Sequence, residues 1–75
     1  MLLSRRFLPP THLLNAFEAA ARSGSFSIAA RNLNLTQSAV SRQIKALEEF
    51  LGVELFTREK QKVHLTEAGK TYADQ

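Results

Sequence analysis

The chain has 75 residues, enough for one small domain with a single core and too few to enclose a deep active-site cleft. Ten lysines and arginines against seven acids leave a net charge of +3, a basic excess that suits a polyanionic partner without demanding one. No cysteine is present, which removes disulfides, thiolate chemistry and Cys-ligated metal sites together.

Residues 1–10, MLLSRRFLPP, read as a flexible arm closed by Pro9 and Pro10, which favour extended backbone. The arm holds no apolar run long enough for a signal peptide, and nothing later approaches a membrane span, so a soluble, cytoplasmic protein is expected. Thr11 is placed to cap a first helix in which Leu13, Leu14, Phe17, Ala20 and Ala21 form one apolar stripe. Gly24 supplies its left-handed stop. Ser25 then caps a second helix with Phe26, Ala29, Ala30 and Leu33 inside and Ser27, Arg31 and Asn32 outside.

The stretch 25–51, SFSIAARNLNLTQSAVSRQIKALEEFL, has the pattern of a helix-turn-helix. Asn34 stands at the corner, where a positive φ is needed and Asn tolerates it better than most residues. Leu35 is expected to turn back into the core and Thr36 to cap the third helix, whose Val40, Ile44, Leu47 and Leu51 point inward until Gly52 stops it. Glu48 and Glu49 sit at the unfavourable end of that helix for acids, which keeps negative charge away from its first half. A strand at residues 54–57, a polar loop at 58–62, and a second strand in which Val63 and Leu65 alternate with Lys62 and His64 make a two-stranded wing. The tip lacks an Asn-Gly turn, so a longer or mobile loop is expected. Thr66 caps a fourth helix with Ala68 and Tyr72 on one side, still running where the sequence stops. The fold expected is mainly α: a winged helix-turn-helix over residues 11–65, followed at 66–75 by the start of a further helix.

With the apolar stripe inward, Gln37, Ser38, Ser41 and Arg42 project outward from the third helix and offer both donors and acceptors to base edges in a major groove. Each well-formed pair supplies about 1 to 3 kcal/mol of discrimination. Phosphates would be held by Arg31, Lys45, Arg58 and Lys60 or Lys62, with backbone N–H groups at the helix starts. Arg31 and Lys45 read equally well as solvated surface. Ser25 and Thr36 are accounted for as caps. Arg42 has Ser38 and Ala46 one turn away, hence no acid to pair with along the helix.

His12 and His64 have no partnering ligand at metal spacing and read as surface residues. Glu48 and Glu49 are consecutive on a helix and diverge, and no nucleophile elbow or phosphate-cradling glycine loop occurs, so no enzyme is expected. The competing reading is a winged-helix protein–protein adaptor without DNA specificity. That reading calls for an apolar or acidic exposed face on the third helix, whereas this face is polar and ends in Arg42.

The segments FEAA at 17–20, GSF at 24–26, AA at 29–30, TQSAVSRQI at 36–44, LE at 47–48, LGVELF at 51–56 and LTEAG at 65–69 occur in order. Together they closely resemble the N-terminal DNA-binding domain of LysR-type transcriptional regulators, a large bacterial family. The resemblance implies a winged helix-turn-helix followed by a linker helix that packs against a second copy to make a dimer, with Ala68 and Tyr72 at the seam. It further implies a C-terminal domain, absent from this chain, that senses a small-molecule inducer; no cofactor is implied for these residues. Such regulators bind interrupted inverted repeats in promoters, work with RNA polymerase and act on the nucleoid in the cytoplasm. Carried onto this chain, Gln37, Ser38, Ser41 and Arg42 would read bases, Thr36 and Arg31 would lie near the backbone, and Arg58, Lys60 and Lys62 would approach the adjoining minor groove.

Overall fold

A computed structural model describes residues 9–59 and 62–74; the expected arm at 1–8, the wing-tip residues Lys60 and Gln61, and Gln75 lie outside them. In chain order the elements are α1 (Thr11–Ser23), α2 (Phe26–Leu33), α3 (Gln37–Leu51), β1 (Phe56–Glu59), β2 (Lys62–Leu65) and α4 (Glu67–Ala73). This is a winged helix-turn-helix, mainly α, with three helices around one core and an antiparallel two-stranded sheet.

The helix ends follow local chemistry. Ser25 and Thr36 each accept a backbone N–H three residues on, from Ile28 at 3.2 Å and Ala39 at 3.0 Å. The first helix differs from expectation: Pro10 takes the cap position in extended backbone, Leu13 and Leu14 donate to its carbonyl, and Thr11 is already helical. Proline's fixed φ suits that position and its missing N–H costs nothing there. At the corner, Asn34 has φ 59° and is the one non-glycine residue with positive φ among the described residues. It makes possible two closing bonds, Leu35 N–H to the Ala30 carbonyl at 2.9 Å and Asn34 N–H to the Arg31 carbonyl at 3.3 Å.

The core combines Leu13, Ala16, Phe17, Ala19 and Ala20 from α1, Phe26, Ala29 and Ala30 from α2, and Val40, Ile44 and Leu47 from α3 with Leu55, Phe56 and Val63. Leu14, Ala21, Leu33 and Leu51 flank it, half-buried. Leu35 departs from expectation. It lies at the rim, 38% exposed, because the interior beside the turn is already filled by Ala30 and the fully buried Val40 and Ile44.

The first wing strand begins two residues later than the sequence suggested. Glu54 and Leu55 have their backbone groups committed elsewhere: the Glu54 carbonyl accepts from the Thr66 hydroxyl at 2.7 Å, and the Leu55 carbonyl accepts from Thr66 N–H at 2.9 Å. Pairing therefore starts at Phe56↔Leu65 and runs through Arg58↔Val63 to Glu59↔Lys62, so Arg58 and Glu59 belong to the ladder rather than the loop. Val63 N–H also donates to the Gly24 carbonyl at 3.2 Å, which fastens the wing to the corner between α1 and α2.

Gly69 on α4 is buried, and a β-carbon there would collide with the Leu55 carbonyl oxygen. The missing side chain lets α4 settle against the segment entering β1. From there Tyr72 meets Phe17 edge-on at 5.4 Å, Phe17 meets Phe56 at 5.6 Å, and Phe56 meets Phe26 at 5.6 Å and 90°. Four rings thus run in series from α4 to the start of α2.

Candidate nucleic-acid interface

The outward face of α3 is where the fold brings the expected reading residues together. Gln37, Ser38, Ser41 and Arg42 line one shallow concavity. Gln37, Ser38 and Arg42 are exposed and Ser41 is half-buried, as its spacing from the core residue Val40 requires on a helix. Val40, Ile44 and Leu47 pin the other side of α3 and are fully buried. The polar face is therefore held outward by packing. Its chemistry is a guanidinium, a carboxamide and two hydroxyls, with no acid in the first turn of the helix.

Of the expected phosphate contacts, Arg31, Thr36, Lys45, Arg58 and Lys62 are all exposed, while Lys60 lies outside the described residues. Thr36 uses its oxygen as a helix cap, which leaves the hydroxyl proton available to an outside acceptor. Among the described residues the two ion pairs are Arg22–Glu18 and His64–Glu59, and neither involves Arg31, Arg42, Lys45, Arg58 or Lys62. Five cations are thus left to solvent or an external anion.

Three side chains make contacts that escaped the sequence. Glu48 is folded into the frame: its Oε2 accepts from Leu55 N–H at 2.8 Å and Phe56 N–H at 3.3 Å. Its nearer partner lies seven positions on, past the helix stop at Gly52, so neither helical nor strand periodicity signals it. Arg58 lies over the Phe26 ring, its guanidinium carbon 4.9 Å from the centroid. Strand alternation carried a hint here, since Arg58 follows the buried Phe56 by two and so shares its face. His64 also has a neighbour that linear spacing hid, Glu59 at 3.7 Å across the wing. His12 is exposed.

Ala68 and Tyr72 are half-buried. Tyr72 borders two grooves, one against Leu14, Phe17 and Ala21 of α1, the other shared with Ala68 and formed with Leu51, Val53 and Leu55. Among the described residues no helix is long and apolar enough to cross a membrane.

Residues 11–70 match the model of the bacterial regulatory helix-turn-helix proteins of the lysR family. The chain is 53% identical over 70 residues to the glycine cleavage system transcriptional activator of Escherichia coli K12, covering 93% of this chain and 23% of that protein. Its homologue in Haemophilus influenzae is 52% identical over 71 residues, covering 95% and 24%. The chain thus spans about a quarter of the length of these relatives. Among solved structures, the CbnR DNA-binding domain in complex with DNA matches with a TM-score of 0.85 at 35% identity, covering 88% of this chain and 76% of that one. The BenM DNA-binding domain in complex with benA site 1 DNA matches at 0.82 and 35% identity, covering 88% and 74%.

Proposed function

The chain belongs to the bacterial LysR family of regulatory helix-turn-helix proteins, and from that premise we propose that it binds double-stranded DNA sequence-specifically as the DNA-binding domain of a transcription regulator. The observation that carries the reading is the outward set Gln37, Ser38, Ser41 and Arg42, gathered in one concavity opposite the buried stripe of α3. Arg42 gives a donor fork suited to guanine, Gln37 a carboxamide suited to adenine, and the serines serve either base. Arg31, Thr36, Lys45, Arg58, Lys60 and Lys62 hold phosphates and set the register.

Two copies joined through the helix that begins with α4, at Ala68 and Tyr72, place their reading helices in successive major grooves. The target is then an interrupted inverted repeat in a promoter, with half-sites about 34 Å or a multiple apart. The regulator so formed acts in the cytoplasm, without catalysis of its own, and RNA polymerase is the partner its output requires.

Selection of bound duplexes from a random pool at two salt concentrations tests the reading. Enrichment of an inverted repeat, with affinity falling as salt rises, supports it. No enrichment and no salt-dependent binding point instead to the adaptor.

A further inference from the structure

We infer that Phe26 is a positioning residue for the wing cation Arg58, holding its guanidinium ordered for a DNA phosphate. The inference rests on the DNA-binding reading above. Arg58 follows the buried Phe56 by two along β1 and pairs with the buried Val63, so its β-carbon faces the core side of the wing. An arginine in that register must run its aliphatic stem along apolar surface and carry its charge out to solvent. The surface it meets is Phe26, at the start of α2, 4.9 Å from centroid to guanidinium carbon. Phe26 cannot drift, being 5% exposed and held edge-on by Phe56 at 5.6 Å.

The geometry leaves the guanidinium its function. A guanidinium carries five N–H donors, more than contact with a single ring can occupy, so donors stay available for a forked bond to phosphate. Among the described residues no carboxylate pairs with Arg58, since Glu59 turns to His64 instead. The contact also spans two parts of the fold, since Phe26 opens the helix-turn-helix and Arg58 lies on the wing. The same ring that helps seat α2 therefore fixes where the wing presents its charge.

A double-mutant cycle on the 75-residue chain, read as affinity for a selected duplex, separates this from simple damage to the core. Phe26→Leu in the parent is expected to weaken binding about two- to five-fold, the size of an exposed cation–π contact. In an Arg58→Ala background the same substitution is expected to change nothing. Equal losses in both backgrounds, or no loss from Arg58→Ala itself, overturn the proposal while leaving the DNA-binding reading intact; a parent that binds no duplex overturns that reading. NMR of the parent needs no core substitution: the Arg58 Nε–Hε group should be more ordered than that of Arg42 in the free protein. Equal mobility of the two overturns the proposal.

Discussion

Glu48 and Leu55 are joined by a 2.8 Å hydrogen bond in which the carboxylate at the end of the third helix accepts the backbone N–H that leads into the wing. The same oxygen accepts from Phe56 at 3.3 Å, so one side chain sets the angle at which the wing leaves the helix. Glu48→Ala leaves two partly buried donors unmet and is expected to destabilise the fold by about 1 to 2 kcal/mol. Each kcal/mol corresponds to a fall in Tm of roughly 4–8 °C in a domain of this size, measurable by thermal circular dichroism. Glu48→Gln keeps one acceptor oxygen and should lose less.

Gly69→Ala sets helix propensity against sterics. Alanine favours a helix interior by about 1 kcal/mol over glycine. Here its β-carbon would strike the Leu55 carbonyl oxygen, and backbone cannot swing aside as a side chain can. The expected outcome is a lower Tm together with a changed near-ultraviolet signal from Tyr72, which α4 presents to Phe17 at 5.4 Å. A higher Tm would show that α4 can move without cost.

The cap and the core of the reading helix should separate cleanly. Thr36→Ala removes the acceptor for Ala39 N–H and is expected to cost about 1 kcal/mol with the fold retained. Val40→Asp puts a carboxylate where no solvent reaches and is expected to abolish helical circular dichroism at neutral pH.

Lys62 on the wing, proposed above as a phosphate contact, is exposed and outside both ion pairs among the described residues, so its removal breaks no ion pair of the fold. Lys62→Ala should weaken binding to all duplexes alike and reduce the slope of log affinity against log salt by about 1, with Tm unchanged. A loss confined to one sequence would place Lys62 at a base instead.

Much of this was legible in the sequence because it depends on short spacings. The stripe Val40, Ile44 and Leu47 and its outward complement Gln37, Ser38, Ser41 and Arg42 are fixed by helical periodicity, and Ser25, Thr36 and Asn34 by local capping and turn chemistry. What escaped depends on contacts between segments. Leu35 was expected inside, but its place is decided by how completely Ala30, Val40 and Ile44 fill the core. β1 starts two residues later than alternation predicts because Thr66, far along the chain, claims the carbonyls of Glu54 and Leu55. Glu48 is an ill-placed acid by helix-dipole reasoning alone, and only the backbone N–H groups of Leu55 and Phe56, from another segment, account for it.

The measurement that bears most directly on the reading helix is a fluorescence anisotropy titration of the parent and Arg42→Ala against a selected duplex and a scrambled one. The parent should prefer the selected duplex, and Arg42→Ala, with unchanged Tm, should lose about 1 to 3 kcal/mol of that preference while keeping its affinity for the scrambled duplex within the loss of one charge. If Arg42→Ala discriminates between the two duplexes as well as the parent does, the outward face of α3 is not what reads DNA.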